Sequence, residues 1–396
     1  MAGIKYFPNN LDIENKTVIV RLDLNVPIKE KKIQDDTKIS LVLPFLKELI
    51  KKKAKIIILS HLGRPKGLRD PDLSLLPIYK YLKEKIGNNV YFFTGDINAE
   101  TKNKSSYLKE GEILLLDNVR FFKGETENDE SFALKLAALG QVYINDAFSC
   151  SHRKQASIHK ITEFVSESYA GPLLRKEIEA IELIIKNKKE PVTCIIGGSK
   201  ISTKINVISN LMKKVNNIVI VGAMANNFLA HLGFNTGKSL IEKNSEKIID
   251  KVYEDAKKNN CKLIIPSDCS VSTSFDGYKK IKNQNEVNEE EIILDIGPNT
   301  VKKIEKIIDT SNTVLWNGPA GYFENKEFAF GTNSIAKKIS ENTINKSLTS
   351  IIGGGDTISA INKIEKELSF THLSTAGGAF LEYLEGKDLP GLSVLK

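Results

Sequence analysis

The stretch KTVIVRLDLNVP, residues 16–27, decides the interpretation of the fold. Its run of β-branched residues followed by a polar turn is typical of a buried strand that ends in a loop. The same pattern returns in KIIILSHLGRP at 55–65, and between the two lies ISLVLPFLKELIKKK (39–53), whose apolar residues have helical spacing. Strand, helix and strand in this order predict a parallel sheet covered by helices.

Strands of this kind are predicted in two series along the chain. The first continues at 90–93, 113–118 and 141–146, and the second comprises 192–198, 217–224, 262–268, 313–319 and 350–356. Gly171-Pro172 and a helical pattern at 173–189 separate the two series. We therefore predict an α/β protein of two Rossmann-like, doubly wound parallel-sheet domains, 1–170 and 171–377, joined by a hinge helix at about 172–190.

The composition excludes several classes of protein. With 41% hydrophobic and 27% charged residues in a chain of 396, two cores can form, and neither disorder nor a collagen repeat fits. The sequence has no run of 18 apolar residues and no secretory signal, which predicts a soluble cytoplasmic protein. The four cysteines lack the spacing of a zinc or redox motif, so we expect reduced thiols.

The basic residues indicate an anionic partner. Lysine and arginine number 57 against 49 acidic residues, a formal net charge of +8, which fits a nucleic acid, an anionic membrane or a phosphorylated metabolite. No arginine follows Arg175. Because guanidinium groups pair with phosphate and carboxylate through parallel hydrogen bonds, their confinement to the first half favours oxyanion recognition there.

Polar residues follow the predicted strands, at the carboxyl ends where parallel sheets bind ligands. After the first series these residues are arginines, a histidine and acceptors for hydroxyl groups, namely Arg21, Arg64, Arg120, Arg153, His61, Asp23 and Asn25. A single arginine is usually a solvated surface charge, but four that converge repel one another unless an anion lies between them. A small phosphorylated acid is the predicted ligand.

Glycine turns follow the second series. In GGSKISTK (197–204), Lys200 and Lys204 have the spacing of one helix face, and a glycine turn that opens a helix presents N–H groups to phosphate. GGGDT (353–357) adds Asp356, which either holds a magnesium ion or caps a helix. STAGGAF (374–380) is a third turn of this kind. This series is therefore predicted to bind phosphate through backbone amides, lysines and magnesium.

Two other functions fit the sequence less well. GFNTGKS (233–239) is one residue short of a phosphate-binding loop, and GGGDTI lacks the last glycine of a dinucleotide fingerprint. A dinucleotide-binding oxidoreductase of similar architecture is the alternative. A nucleic-acid binder fits the net charge, but the lysines are scattered and no aromatic stacking platform is apparent.

The chain resembles the phosphoglycerate kinases over its whole length, through the ordered strings RLDLNVP, LSHLGRP, LLLDNVRF, YINDAF, IIGGSKISTKI, VGAMAN, VLWNGPAGYFE, IIGGGDT and HLSTAGGAFLEYLEGKDLPG. The resemblance implies reversible phosphoryl transfer between ATP and the carboxylate of 3-phosphoglycerate in glycolysis and gluconeogenesis. It also implies Mg²⁺ as cofactor, a monomer without nucleic-acid or membrane partners, and a last segment, 378–396, that returns to the N-terminal domain.

The resemblance assigns site residues position by position. The N-terminal domain is expected to bind 3-phosphoglycerate through Asp23, Leu24, Asn25, Lys38, His61, Leu62, Gly63, Arg64, Arg120 and Arg153. The C-terminal domain is expected to bind nucleotide through Gly197, Gly198, Lys200, Lys204, Asn317, Glu324, Gly353, Gly354, Gly355, Asp356 and Thr357, with Asp356 near the metal. The expected catalytic residues are Lys38 and Lys200, which contact the transferring phosphoryl group, and Arg21, which organises the pocket and Asp23. The N–H groups of Gly377 and Gly378 are also expected to contact the transferring group.

The chain departs from the family pattern at a few positions. Lys38, in DDTKIS, stands where the family has arginine, so the charge is kept and the planar fork is lost. Ser149 and Cys150 stand where glycine and threonine are usual, Gln155 where histidine is common, and Ala376 where many members have glycine. None of these changes removes a charge that transfer to an ionised carboxylate requires. We therefore expect an active enzyme whose two domains close on their substrates.

Overall fold

The computed structural model describes residues 3–396, which form two compact units. Unit 1 extends to Ile178 and resumes at Asp388–Lys396, and unit 2 is Glu179–Lys387. The sequence analysis predicts these two boundaries between the units near residues 170 and 378.

Local hydrogen bonds explain why both boundaries between the units lie later in the chain than the sequence analysis predicts. The helix Pro172–Ile185 begins in unit 1, where the Asp146 carboxylate accepts a hydrogen bond from the Leu174 amide at 2.8 Å. The helix Gly378–Leu384 remains in unit 2, where the Asn210 side chain donates to the carbonyl of Leu384 at 2.5 Å.

Unit 1 is built on a six-stranded parallel sheet. The strands of the unit are β1 (Thr17–Leu22), β2 (Ile28–Lys29), β3 (Lys32–Ile33), β4 (Lys55–Leu59), β5 (Val90–Phe93), β6 (Ile113–Leu116), β7 (Val142–Asp146) and β8 (Glu167–Ala170). The sheet order is β5-β6-β4-β1-β7-β8, while β2 and β3 form a separate hairpin. Val18 of the central strand lies beside Ile56 on one side and Val142 on the other.

Helices cover both faces of this sheet. They are α1 (Thr37–Lys51), α2 (Leu76–Ile86), α3 (Ala99–Ser106), α4 (Lys123–Thr126), α5 (Glu130–Ala137) and α6 (Pro172–Ile185). Because side chains alternate along a strand, Val18 and Val20 pack in one core and Ile19 in the other. The two cores hold the strand ends in fixed positions at the edge of the sheet.

Unit 2 contains a second parallel sheet and a small antiparallel one. Its strands are β9 (Val192–Ile196), β10 (Asn217–Ile220), β11 (Lys262–Ile264), β12 (Asp268–Ser272), β13 (Lys280–Asn283), β14 (Ile292–Ile296), β15 (Thr313–Asn317), β16 (Thr349–Gly353) and β17 (His372–Ser374). The parallel sheet has the order β11-β10-β9-β15-β16-β17, and the antiparallel sheet has the order β13-β12-β14. The helices are α7 (Ile205–Met212), α8 (Ala223–His231), α9 (Glu246–Lys258), α10 (Pro298–Asp309), α11 (Phe330–Asn345), α12 (Gly355–Asn362) and α13 (Gly378–Leu384).

The C-terminal segment completes unit 1 through α14 (Pro390–Ser393) and backbone hydrogen bonds. The amide of Gly391 donates to the carbonyl of Ser151 at 2.8 Å, and the amide of Lys5 donates to the carbonyl of Leu395 at 2.7 Å. A Cβ atom on Gly391 would lie 2.6 Å from the Ile158 side chain, so only glycine fits this approach.

The predicted fold class is confirmed, since the chain has two six-stranded parallel sheets with helices on their faces. The sequence analysis missed the antiparallel sheet β13-β12-β14 and the edge strands β8 and β17. In the described part of the chain, no helix is both long enough and apolar enough to cross a membrane.

Candidate active site

The predicted ligand-binding residues of unit 1, and Cys150 beside them, follow four neighbouring strands of its sheet. Asp23 and Asn25 come after β1, His61 and Gly63 after β4, and Arg120 after β6, while Cys150 and Arg153 come after β7. Because β6, β4, β1 and β7 are adjacent and parallel, these loops meet at one edge of the sheet.

Asp23 is held as an ionised carboxylate by two side chains. Its Oδ2 accepts hydrogen bonds from Nζ of Lys38 at 2.6 Å and from Oγ of Ser149 at 2.5 Å. Burial raises the pKa of Asp23, but the charges of Lys38 and His61 and the hydrogen bonds from Lys38 and Ser149 together outweigh burial, and the pKa falls to about 2. The sequence did not indicate this ion pair or the part that Ser149 plays in it.

Asn25, Gly63 and Arg120 are joined through the backbone of the β4 loop. The Asn25 Oδ1 accepts from the Gly63 amide at 3.0 Å, and Nη1 of Arg120 donates to the Gly63 carbonyl at 2.8 Å. Gly63 has a φ of +58°, and a Cβ atom there would lie 2.7 Å from Leu73, so the turn requires glycine.

Arg120 is a buried arginine with one donor that lacks an acceptor among the described residues. Its residue is 5% exposed, and its Nε has no hydrogen-bond partner among the described residues. Burial lowers the pKa of Arg120 to about 10, which still leaves the guanidinium charged at neutral pH. A buried charged donor without an acceptor is costly, so this position fits a bound carboxylate or phosphate.

Arg21 lies beneath this edge of the sheet and is 0% exposed. Its guanidinium donates to Oγ of Ser157 at 2.9 Å and to the Leu22 carbonyl, and it contacts Nδ1 of His61 at 3.3 Å. The described hydrogen bonds of Arg21 do not include Asp23. The structure therefore buries Arg21 beneath these loops, in contact with Ser157 and His61.

The remaining predicted residues of unit 1 differ in their exposure. Arg64 is exposed, and Arg153 is partly buried with its Nε donating to Nε2 of His152 at 3.0 Å. Leu24 and Leu62 are buried, and the Leu24 amide donates to Oγ of Ser60 at 3.0 Å. The leucines thus support the loops, while both arginines have guanidinium groups near or at the surface.

Asp23, His61 and Cys150 have ligand atoms within 4.8 Å of one another. This is a set that could hold a metal ion, but cationic groups already face it. Nη2 of Arg21 lies 3.8 Å from the Cys150 sulfur, and Lys38 pairs with Asp23. Because a bound cation would have to displace both positive charges, we assign no metal to this cluster.

In unit 2, the glycine turn after β9 packs against the end of β15. The Gly197 amide donates to the Asn317 carbonyl at 2.8 Å. Nζ of Lys204 donates to the Gly197 carbonyl at 2.5 Å and to Oδ1 of Asn317 at 2.7 Å. Burial lowers the pKa of Lys204 to about 8, although the Asp356 carboxylate opposes this shift. Gly197, Asn317 and Lys204 thus form one connected group.

The prediction that Lys200 and Lys204 share a helix face is wrong. Helix α7 begins only at Ile205, with Lys204 at its N-cap position, and residues 199–204 are not helical, with a turn at 202–204. Lys200 is exposed, and its ammonium makes none of the described hydrogen bonds. The helical spacing misled because β-branched Ile201 and Thr203 and the small Ser202 are weak helix formers, so the turn extends through Lys204.

The turn after β16 presents backbone amides and a carboxylate. Gly354 has a φ of +100° at the N-cap position of α12, and Asp356 lies exposed in the first turn of that helix. Asp356 therefore does not cap the helix. Thr357 is buried, and its hydroxyl accepts from the Gly318 amide at 2.7 Å and donates to the Gly353 carbonyl at 3.0 Å. Thr357 thus joins two strand ends, and the single hydrogen-bond donor of its hydroxyl is already used.

A cavity of about 520 Å³ opens beside these turns. It is lined by the predicted residues Gly198, Glu324 and Asp356 together with apolar residues that include Leu240 and Phe275. The sequence analysis missed the apolar part, since Leu240 and Phe275 belong to loops without a motif. A flat apolar ligand group with phosphates at one end fits such a lining.

The third glycine turn follows β17. Gly377 has a φ of +56° at the N-cap position of α13, and Gly378 is the first, exposed residue of that helix. Gly353 ends β16, which pairs in parallel with β17, and Gly355 begins α12. The glycine turns of unit 2 are therefore neighbours at the carboxyl edge of one sheet.

Comparison with known proteins identifies relatives of one family that span nearly the whole chain. The model of the phosphoglycerate kinase family matches residues 9–387. The phosphoglycerate kinase of Wolbachia pipientis wMel is 45% identical over 389 residues, which cover 98% of this chain and 97% of that protein. The phosphoglycerate kinase of Chelativorans sp. (strain BNC1) is 41% identical over 398 residues, the full length of both chains.

Solved structures with a similar fold are also phosphoglycerate kinases. The structure of phosphoglycerate kinase from Coxiella burnetii has a TM-score of 0.89 and 38% identity, and the match covers 98% of this chain and 97% of that one. The crystal structure of phosphoglycerate kinase from Pyrococcus horikoshii OT3 has a TM-score of 0.84 and 29% identity, with 98% of each chain covered.

Proposed function

The chain belongs to the phosphoglycerate kinase family, and we propose that the strand ends of unit 1 bind 3-phosphoglycerate while those of unit 2 bind ATP. The enzyme transfers a phosphoryl group between ATP and the carboxylate of 3-phosphoglycerate, a step of glycolysis. The comparisons give no support to the dinucleotide oxidoreductase kept as the alternative in the sequence analysis.

The buried, unpaired Nε of Arg120 is the observation that carries the substrate assignment. A phosphate or carboxylate oxygen at this point satisfies the donor and neutralises a charge that burial makes costly. Arg64 and Arg153 extend the cationic surface toward solvent, where a ligand enters. Asp23 and Asn25 supply acceptors for a hydroxyl group on the same ligand.

Lys38 and Lys200 are proposed to contact the transferring phosphoryl group. Phosphoryl transfer mainly needs charge on the equatorial oxygens to be neutralised, and the carboxylate acceptor needs no general base. Lys38 has a side chain that is 25% exposed, so its ammonium can leave Asp23 when a ligand hydroxyl replaces it. Lys200 is exposed, and its ammonium makes none of the described hydrogen bonds that a ligand would have to replace.

The glycine turns and Lys204 are proposed to hold the nucleotide phosphates, and the apolar cavity beside them to hold the base. Backbone amides at Gly198, Gly354 and Gly378 are suited to phosphate oxygens. Asp356, exposed and without a described hydrogen bond, fits a magnesium ligand, and magnesium would neutralise phosphate charge when bound. We further propose that the protein is a cytoplasmic monomer.

Replacement of Arg120 by methionine tests the substrate assignment. Loss of a charged hydrogen bond should raise the KM for 3-phosphoglycerate by roughly tenfold to a hundredfold and leave the KM for ATP nearly unchanged. Arg69→Met, in an exposed loop where Arg69 pairs with Asp96, is the matched control and should change neither constant. An Arg120→Met enzyme with unchanged KM for 3-phosphoglycerate would refute the assignment.

A further inference from the structure

His61 is a buried histidine whose two ring nitrogens have different surroundings. The residue is 5% exposed. Nδ1 lies 3.3 Å from Nη2 of Arg21 and 3.8 Å from the sulfur of Cys150. Nε2 makes none of the hydrogen bonds described for this part of the chain. The ring is therefore held on its Nδ1 side and available for a ligand on its Nε2 side.

The contact with Arg21 determines which nitrogen carries the proton. A guanidinium group has only donors, so Nδ1 can accept its hydrogen bond only when Nδ1 is unprotonated. A proton on Nδ1 would bring two buried donors face to face. The geometry thus favours a neutral imidazole with its proton on Nε2.

The orientation of Arg21 is itself fixed by a buried network. Nε of Arg21 donates to Oγ of Ser157, which donates to Oε1 of Glu125 at 2.7 Å. The Ser157 amide donates to Oε2 of Glu125 at 2.9 Å. Arg21 and Glu125 are both 0% exposed, so the glutamate supplies the opposite charge through the serine hydroxyl. Arg21 therefore cannot turn away from His61 without breaking this network.

The charges around His61 also favour its neutral form. Arg21, Arg120 and Lys38 face the ring, and Asp23 is the opposing carboxylate. Burial and the Arg21 charge hold the pKa of His61 well below its usual range. Because Asp23 is already paired with Lys38, its charge does not bring the pKa of His61 back to the usual range.

We propose that Arg21 is a positioning residue that holds His61 as the neutral Nε2–H tautomer, so that Nε2–H donates to an oxygen of the substrate. This inference rests on the proposed function, in which unit 1 binds 3-phosphoglycerate. A neutral donor adds a directional hydrogen bond to the pocket without adding another positive charge to its arginines and lysines. It also explains why an arginine that no ligand can reach belongs to the site.

Long-range ¹H–¹⁵N NMR of the ligand-free, full-length protein tests the tautomer directly. The chain has five histidines, and His61→Gln identifies the His61 signals by their loss. We expect Nδ1 to be unprotonated and Nε2 protonated throughout pH 6 to 8. An Nδ1–H tautomer, an even mixture or an imidazolium at pH 7 would overturn the proposal. Phosphoryl transfer by the wild-type enzyme is measured separately, so failure of the tautomer and failure of the proposed function are distinct results.

Substitutions at Arg21 and His61 test the consequence for substrate binding. Arg21→Lys keeps a donor and a charge and should preserve the tautomer, whereas Arg21→Met should let His61 titrate closer to its usual range. If Arg21→Met fails to fold, a pair of variants at His61 remains informative. The amide nitrogen of glutamine can replace the Nε2 donor and that of asparagine cannot. His61→Asn should therefore raise the KM for 3-phosphoglycerate about tenfold more than His61→Gln. Equal KM values for the two variants would contradict the proposal.

Discussion

The ion pair between Lys38 and Asp23 leads to a prediction about the free energy of unfolding, and its magnitude follows from the structure. The ammonium and carboxylate lie 2.6 Å apart, and their side chains are only 25% and 13% exposed. Lys38→Met keeps the length of the side chain in α1 and removes its charge. Burial then acts on Asp23 without the opposing ammonium, although the hydroxyl of Ser149 and the Asn25 amide still donate to its carboxylate.

The magnitude comes from the pKa of Asp23, which is lowered from 3.8 to about 2. At about 1.4 kcal/mol per pKa unit, this shift corresponds to about 2 kcal/mol of folding free energy, and Lys38 is the largest of the causes that lower the pKa. Because the folded pKa lies below the unfolded one, this stability is present above pH 4 and is lost as the pH falls toward 2. At pH 7, Lys38→Met should therefore lower the free energy of unfolding by about 2 kcal/mol.

A double-mutant cycle with Asp23→Asn isolates the pair from other effects of each substitution. Urea unfolding at pH 7, followed by far-ultraviolet circular dichroism, should give a coupling free energy of about 2 kcal/mol. Lys47→Met, at an exposed position of the same helix, is the control and should show almost no coupling to Asp23. A Lys38–Asp23 coupling below about 0.5 kcal/mol, the range of exposed ion pairs, would refute the reasoning.

Three further predictions concern catalysis and the nucleotide site. Lys38→Met should lower kcat by roughly 10²-fold and change the KM for 3-phosphoglycerate far less, since the Lys38 charge acts on the transferring group. An unchanged kcat in steady-state assays would show that Lys38 does not have this role. Titration calorimetry should show ATP affinity falling by up to about tenfold per unit above pH 8, where Lys204 loses its proton, and Lys204→Met should abolish that dependence. Gly197→Ala puts a Cβ atom 2.4 Å from the Pro319 carbonyl oxygen and should lower both Tm and ATP affinity. Gly355→Ala, whose Cβ meets nothing within 4 Å, should leave Tm unchanged, and equal Tm values for the two variants would count against the clash.

The parallel sheets could be predicted because their strands carry a local signal. β1 and β9 are largely apolar runs that end in polar or glycine-rich turns, and this pattern needs no knowledge of distant residues. The cluster after β1, β4, β6 and β7 followed from the rule that parallel strands end at one edge. The antiparallel sheet had no such signal, since β13 is largely exposed and contains two lysines.

The parts of the site that escaped prediction depend on contacts between distant segments. The pairing of Asp23 with Ser149 joins residues 126 positions apart, and the pairing of Arg21 with Ser157 joins residues 136 positions apart. Arg21 has the same residue type as the proposed ligand-binding arginines, but it lies within β1. Only the three-dimensional packing reveals that it is buried beneath the pocket and acts through His61.

The formation of 1,3-bisphosphoglycerate from ATP, Mg²⁺ and 3-phosphoglycerate by the purified full-length protein tests the central claim most directly. A coupled assay should show turnover that requires both substrates and stops when EDTA removes the metal. The Arg120→Met enzyme should recover its turnover at high 3-phosphoglycerate, since its loss lies in binding. A wild-type protein that forms no acyl phosphate under these conditions would contradict the account.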